Sequence, residues 1–501
     1  MITDEIKYHI HEAFGQEPTT EQELAIDTFA RFITDRHEES VMVMRGAAGT
    51  GKTTLAAAFV RAMITLKQKL TLMAPTGRAA KVFSLYAGHA AYTIHRRIYR
   101  QKSLEDNFNL NFNNAQDTLF IIDEASMIAN ASSTTDTPFA QGQLLDDLIR
   151  FVYNGRNCRM LLIGDRAQLP PVGERESPAL TTSVLRVYGL HTYECDLNEV
   201  LRQSRQSGIL WNATRIRGYG QETGDEWSMQ RDEKIVLPRI RFQGFSDIWA
   251  VPGNELIEEL SGSYSRVGMD DTIVVTRSNK RANIYNQGIR NRILDRDDEL
   301  CSGDRLMIVK NNYYWIHEEA KSDASSAGQN TATTSSSFSF IANGDMAVVR
   351  RVRHVHQQYG FHFAEVTMTF PDYDDYELSA MVILDTLTSE APSLTREQQQ
   401  QLFNAIMEDY ADIPLKQDRL KKIREDRYYN ALQVKFAYAV TCHKAQGGQW
   451  AHVYIDQGYM TDDMLNSDYL HWLYTAFTRA TERLLLVNWP ESQTDRQPTE
   501  K

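Results

Sequence analysis

The chain has 501 residues, 42% hydrophobic and 24% charged, which allows several domains and excludes a disordered or fibrous protein. Its 54 Lys+Arg against 66 Asp+Glu give a net charge of −12, which argues against a nucleic-acid coat protein but not against a motor with a local basic groove. Cys158, Cys195, Cys301 and Cys442 show no Cys-x-x-Cys spacing, no apolar run approaches the roughly 18–20 residues a bilayer span needs, and the first residues resemble no export signal. The expectation is a cytoplasmic chain with no membrane segment, no disulfide framework and no zinc site.

In chain order, the first ~35 residues read as helical, with a helix start at Thr20-Glu21-Gln22-Glu23 followed by apolar residues at helical spacing. From Val41 to about Val187, apolar runs alternate with helical stretches, and Val41–Met44, Leu70–Met73, Leu119–Ile122 and Met160–Ile163 are the strand candidates. This alternation implies a parallel sheet covered on both faces. A second alternating section begins near Asp271, with strand candidates Thr272–Val275, Ala347–Val349, Val453–Ile455 and Leu484–Val487. Between them, Lys321 to Ser337 is low in complexity and reads as a loop or hairpin tip. Arg351–Phe370 alternates like antiparallel strands, and Thr395–Asp409 and Lys416–Asp426 read as helices.

Residues 46–53, Gly-Ala-Ala-Gly-Thr-Gly-Lys-Thr, match the phosphate-binding pattern G-x-x-x-x-G-K-[ST] between a strand and a helix. Gly46, Gly49 and Gly51 let backbone N–H groups turn toward phosphate oxygens, with the helix N-terminus adding positive potential. Lys52 is expected on the β- and γ-phosphates and the Thr53 hydroxyl on Mg²⁺. Leu119–Ile122 runs into Asp123 and Glu124, the first expected to hold Mg²⁺ through water, the second to orient and deprotonate the attacking water. Met160–Ile163 runs into Gly164-Asp165-Arg166-Ala167-Gln168-Leu169-Pro170-Pro171. Gln168 either senses the γ-phosphate or belongs to a Pro-stiffened loop, and the residues alone do not choose.

These three segments resemble motifs I, II and III of superfamily 1 helicases. Ala74–Lys81 resembles motif Ia, Thr93–Arg96 motif Ib, Leu197–Gln203 motif IV, Tyr438–Gly447 motif V and Tyr474–Ala480 motif VI. The likeness is strongest to the RecD-like and Dda-like branch, superfamily 1B, whose members move 5′→3′ on DNA. The Thr-x-His-Lys-x-Gln-Gly form of motif V carries it, as does the brief segment Tyr99 to Asp117, too short for the large insertion of the UvrD-like branch.

The resemblance implies an α/β fold of two RecA-like P-loop NTPase domains with parallel sheets, a small hairpin insertion and a small SH3-like β-rich inserted domain. The expected layout is a first RecA-like domain over 1–190, with a wedge hairpin at about 99–117, and a second over 191–350 and 434–501 split by the inserted domain at 351–433. It implies ATP and Mg²⁺, with ATP contacts from Gln22, Gly46, Ala47, Ala48, Gly49, Thr50, Gly51, Lys52, Thr53, Thr54, Arg202, Gly447 and Arg479. Arg202 and Arg479 are candidate arginine fingers. Gln22 either reads adenine or is a solvent-facing residue of a helix's first turn. Pro75, Thr76, Thr93, His95, Thr441, His443 and Lys444 fall where the family contacts single-strand phosphates, with Lys81, Arg96 and Arg97 as further counter-charge. Phe83, Tyr92 and Trp450 either stack on bases or pack in a core. Asn343-Gly344-Asp345 resembles a turn before the inserted domain, or is only a tight turn.

The implied activity is an ATP-dependent 5′→3′ DNA helicase and single-strand translocase, expected to be a monomer acting on single-stranded DNA and on duplexes with a 5′ tail, with replication or recombination proteins as partners. Rivals are an RNA helicase of superfamily 1, a non-motor nucleotide switch, and a subunit of a recombination nuclease complex.

Overall fold

The structure is a computed structural model and describes residues 2–100, 109–130, 143–200, 206–221, 239–316, 318, 341–461 and 464–495. The chain forms two compact units, one from Met1–Arg100, Phe108–Thr272 and Ala445–Lys501, the other from Ile273–Lys444.

In the first unit a six-stranded sheet is built from β1 (Ser40–Gly46), β2 (Lys69–Ala74), β3 (Ala91–Thr93), β6 (Thr118–Ile122), β7 (Arg159–Gly164) and β8 (His191–Leu197), in the order β3-β2-β6-β7-β1-β8. All its pairings are parallel. Parallel strands are covered on both faces, which is why Val41–Met44 and Leu119–Ile122 are continuous apolar runs rather than alternating ones. The period of two still sorts the faces. Met42, Met44, Leu119, Ile121, Leu161 and Ile163 pack with Phe29, Phe32, Leu55 and Phe59 from the helices Thr20–Thr34 and Lys52–Thr65. Val41, Val43, Phe120, Ile122, Met160 and Leu162 pack with Leu145, Leu148 and Val152 of the helix Leu144–Tyr153. Phe29 stacks on Phe59 with centroids 4.1 Å apart. Burying such a ring contributes about 1.5–3 kcal/mol.

β8 lies past residue 190, where the sequence reading ended this domain. It pairs with β1 from Ser40↔His191 to Gly46↔Leu197. Its mixed burial, with only Cys195 and Leu197 buried, is that of an edge strand, so its sequence lacks the apolar run that marks the others.

Tyr99–Arg100 (β4) and Asn109–Leu110 (β5) pair antiparallel, the stem of the expected hairpin. Its tip lies outside the described residues. The first unit also holds β9 (Ile248–Val251), β17 (Trp450–Asp456) and β18 (Ala480–Val487), with β18 parallel to both β9 and β17.

In the second unit β10 (Thr272–Thr276) pairs parallel with β16 (Ala439–Thr441). A closed barrel joins β11 (Arg305–Ile308), β12 (Met346–Gln358), β13 (Phe361–Phe370), β14 (Tyr376–Ile383) and β15 (Leu432–Phe436). Tyr359 and Gly360 both have positive φ and link β12 to β13 as the primed two-residue turn a twisted hairpin favours. The barrel is the small β-rich domain expected from the sequence, but it starts at Arg305 rather than 351 and ends at Phe436. Ala347–Val349, assigned to the parallel strands, belongs to β12. The error has a physical source: β11 is four residues long, and 37 intervening residues separate it from β12.

The helices Arg396–Asp409 and Lys416–Arg424 lie between β14 and β15, the first opened by a capping box of Thr395 and Gln398. The Asn343–Asp345 turn has a structural role: Asp345 accepts from the Ala342 N–H at 2.7 Å and from the Tyr373 hydroxyl at 2.9 Å. Burial pushes its carboxyl up to about 7. The stretch Lys321–Ser337 lies outside the described residues. Among them no helix is long and apolar enough to cross a membrane.

Candidate nucleotide site and nucleic-acid contacts

The chemistry gathers at the C-terminal edge of the six-stranded sheet, where parallel strands deliver their loops. β1 leads into the Gly46–Thr53 loop, β6 into Asp123 and Glu124, and β7 into Asp165 and Gln168. Gly49 and Gly51 have φ of 80° and 75°, left-handed values that admit glycine without strain. A Cβ on Gly46 would sit 3.0 Å from the Thr50 hydroxyl oxygen and 3.3 Å from the Lys52 Cβ. The loop is held from within: the Thr50 hydroxyl donates to Ala47 O at 2.8 Å, and the Ala47 N–H to Leu197 O at 3.2 Å. Lys52 Nζ donates to Gly46 O at 3.1 Å, folded over its own loop. Thr53 is half-buried and Thr54 exposed in the helix's first turn.

Asp123 and Glu124 face the same end. Glu124 has a φ of 52°, a strained value for a residue with a side chain, of the kind that gathers at functional sites. Burial, reinforced by the neighbouring Glu124 charge and opposed by Lys52, pushes the Asp123 carboxyl up to about 6. Glu124 Oε2, Gln168 Oε1 and the Ser126 hydroxyl are buried with no hydrogen-bond partner. Buried polar groups are normally paired, so the unsatisfied Glu124 oxygen next to Asp123, with Lys52 as the nearby cation, fits a hydrated magnesium–triphosphate group.

Gln22 is not the solvent-facing residue of the second reading. It is buried at 1% exposure and takes the N3 place of a capping box, its Oε1 accepting from Thr19 N–H at 2.9 Å. Its Nε2 donates to Thr50 O at 3.0 Å. It ties the helix Thr20–Thr34 to the phosphate loop.

Arg479 is 2% exposed and held by carbonyls: Nε donates to Thr475 O at 3.0 Å and Nη1 to Gly448 O at 3.1 Å. Gly447 has a φ of 71°, and a Cβ there would lie 3.1 Å from the Thr76 hydroxyl oxygen and 3.2 Å from the Ala79 Cβ. Its close neighbours are thus at the start of the helix Gly77–Ala87. Arg202 lies outside the described residues.

One set of contacts had no assigned role in the sequence. The helix Ser467–Phe477 is bonded to the loop after β7 at three successive points. Tyr474 donates to Asp165 Oδ2 at 2.6 Å, the Thr475 hydroxyl accepts from Leu169 N–H at 2.7 Å, and His471 Nδ1 lies 3.0 Å from Ala167 O. Gln446 Nε2 adds a bond to Leu169 O at 2.6 Å. All but His471 were in the motifs, but only the fold shows that they meet.

Of the nucleic-acid candidates in the first unit, Thr76 and Thr93 each cap a helix, their hydroxyls accepting from Ala79 N–H at 3.2 Å and Arg96 N–H at 3.3 Å. That uses an oxygen lone pair and leaves each O–H able to donate to phosphate. Pro75 precedes the first cap, and half-buried His95 has its ring 5.6 Å from that of Tyr99. Phe83 is fully buried, and Trp450 is 3% exposed beneath the Arg78 guanidinium at 4.3 Å, so both are packing residues rather than base platforms. Tyr92 is half-buried under Arg96 at 5.1 Å.

In the second unit Thr441 ends β16, His443 is exposed, and Lys444 has its amine buried with no hydrogen-bond partner. Burial, with Lys435 nearby, lowers the Lys444 amine to about 8. A buried unpaired ammonium is a natural hydrogen-bond donor to a phosphate oxygen.

A family model described as an AAA domain matches residues 19–218, and one described as a UvrD-like helicase C-terminal domain matches residues 436–487. An uncharacterized protein of Acanthamoeba polyphaga mimivirus is 21% identical over 93% of this chain and 98% of its own length. The ATP-dependent RecD2 DNA helicase of Deinococcus radiodurans is 34% identical over 26% of this chain and 16% of its own length. The ATP-dependent DNA helicase dda of Enterobacteria phage T4 is 25% identical over 53% of this chain and 56% of its own length. The chain therefore spans only part of these two helicases. A Pif1 helicase from Bacteroides, solved with ADP-AlF3 and single-stranded DNA, aligns over 96% of this chain and 95% of its own at 14% identity, with a TM-score of 0.44.

Proposed function

We propose that the chain is a superfamily 1B DNA helicase of the RecD-like and Dda-like kind that uses ATP, a single-strand DNA translocase moving 5′→3′ and separating the duplex ahead. The observation that carries the motor reading is the bonding of the loop Asp165–Leu169 to the helix Ser467–Phe477. A loop with an unsatisfied Gln168 amide oxygen at the nucleotide site is thereby joined to the element that leads into Arg479. A switch that only binds nucleotide has no need of that linkage.

The reading assigns these roles. The amides of residues 46–53 cradle the phosphates and Lys52 turns from Gly46 O toward them. Asp123 and Thr53 would hold Mg²⁺, which when bound would neutralise charge between the phosphates. Glu124 orients and deprotonates the attacking water, and its unsatisfied oxygen suits that task. Gln168 reads whether the terminal phosphate is present. Arg479 and Arg202 supply guanidinium charge to the transferring group. Gln22 sets the height of the phosphate loop, and any adenine contact would use its remaining N–H. Thr76, Thr93, His95 and Pro75 in the first unit and Thr441, His443 and Lys444 in the second form two sets of phosphate contacts. Alternating their grip through the ATP cycle would yield net steps. The β4–β5 stem would carry the wedge.

Unwinding of duplexes with a 5′ or a 3′ single-stranded tail, with ATP and Mg²⁺, tests activity and direction together. Opening of the 5′-tailed substrate alone is expected. Opening of the 3′-tailed one alone overturns the polarity, and hydrolysis stimulated by poly-U but not poly-dT overturns DNA as the track.

A further inference from the structure

The Ala48 N–H points into the phosphate loop, where a bound phosphate would be expected to claim it. Here it donates to the Tyr474 hydroxyl oxygen at 2.9 Å. The same hydroxyl donates its own proton to Asp165 Oδ2 at 2.6 Å. Tyr474 is 1% exposed and Asp165 4% exposed, so the bond between them is shielded from water. Both the donor and one acceptor position of the phenol are thus spent on the two loops that surround the nucleotide site. Asp165 is fixed in turn by the Ala167 N–H, which donates to its Oδ1 at 2.9 Å.

We propose that Tyr474 is a phosphate-displaceable latch: its hydroxyl holds the Ala48 amide until nucleotide phosphates take it, so that nucleotide entry is felt directly by the helix that leads to Arg479. This rests on the phosphate-loop reading and adds to it a residue that opposes binding rather than assisting it. The competition is unequal by charge. Burial and the Asp165 carboxylate hold the phenol proton well above the usual tyrosine range, so the hydroxyl is a neutral acceptor. A phosphate oxygen is a charged acceptor, and charge-assisted hydrogen bonds are roughly twice as strong as neutral ones. Displacement of Tyr474 frees one of three bonded points on the helix Ser467–Phe477 and leaves Thr475 and His471 in place, which suits a pivot more than a release.

Tyr474 is therefore a positioning residue, and its removal has an unusual expected sign. In Tyr474→Phe the ring still fills its site but no longer competes for the amide. Equilibrium binding of a fluorescent ADP analogue to the full chain, without DNA, is expected to tighten by about three- to tenfold, the worth of one neutral hydrogen bond. Stimulation of its ATPase by oligo-dT is expected to fall. A packing defect alone would weaken binding, not strengthen it. Asp165→Asn, which keeps an acceptor but drops its charge, is expected to shift affinity the same way by less, and it serves as the second variant should Tyr474→Phe not fold. Unchanged or weaker binding by either folded variant overturns the latch while the unaltered chain still binds the analogue. No binding by the unaltered chain overturns the phosphate-loop reading as well.

Discussion

Two carboxylate centres in this molecule are built on opposite plans. Asp304, wholly buried in the second unit, receives the Arg290 guanidinium at 3.1 Å, Arg296 Nη1 at 2.8 Å, the Tyr438 hydroxyl at 2.8 Å and the Cys301 N–H at 2.8 Å. Asp123 and Glu124 sit side by side in the first unit with Lys52 as the nearby cation, and one Glu124 oxygen has no partner. The first centre is closed, its charge cancelled by residues brought together by the fold. The second is open, with more negative charge than its neighbours cancel. A closed centre serves the fold, and an open one is completed by something that arrives.

The contrast can be broken by experiment. The largest effect is expected from Lys52→Ala, which removes the cation of the open centre: DNA-stimulated phosphate release should fall by about 10³-fold, while the melting temperature changes little. Near-normal turnover would mean the open centre is not the hydrolytic one. Asp304→Ala should do the reverse. It strands two guanidiniums, one of them 2% exposed, and should cost about 3–5 kcal/mol in denaturant unfolding. Hydrolysis per folded molecule should stay within about twofold, since the two centres share no residue. A large catalytic loss with intact stability would erase the distinction.

The smallest and most specific effect concerns Lys444. Its amine titrates at about 8, so it is charged below that pH and neutral above it. A bound phosphate favours the charged form, so affinity for oligo-dT should be full near pH 7 and decline as pH rises through 8. Lys435, lowered to about 8 by burial, shares part of that slope but is already bonded to Thr386 O at 3.2 Å. Lys444→Gln should weaken binding by about tenfold at pH 7 and flatten the decline. A decline as steep as in the unaltered chain would remove Lys444 from the track.

Much of this was legible in the sequence, for reasons that differ by residue. Residues 46–53 announce themselves because phosphate chemistry demands that spacing. β1, β2, β6 and β7 are visible because burial on two faces demands apolar runs. β8 was missed because an edge strand is only half-buried, and β11 because four residues are too few to show a pattern. Gln22 was flagged for a bond to adenine, and no spacing reveals that it also caps its helix and holds the Thr50 carbonyl. Phe83 and Trp450 show the reverse error, since aromatic residues look alike in sequence whether they face a base or a core. Tyr474 could not have been found this way, because its meaning lies in meeting Asp165 and Ala48, more than 300 residues away in the chain.

The bare Cα of Gly447 has a mechanical consequence. Its neighbour Gly448 carries the carbonyl that steadies Arg479, and its own missing side chain is what lets Thr76 and Ala79 come within touching range. A displacement felt at the guanidinium therefore reaches a threonine proposed to grip the strand across a single peptide unit, with no gap to take up first. A methyl added there would act like grit between meshed teeth: the two halves of the cycle would each still turn, but out of step.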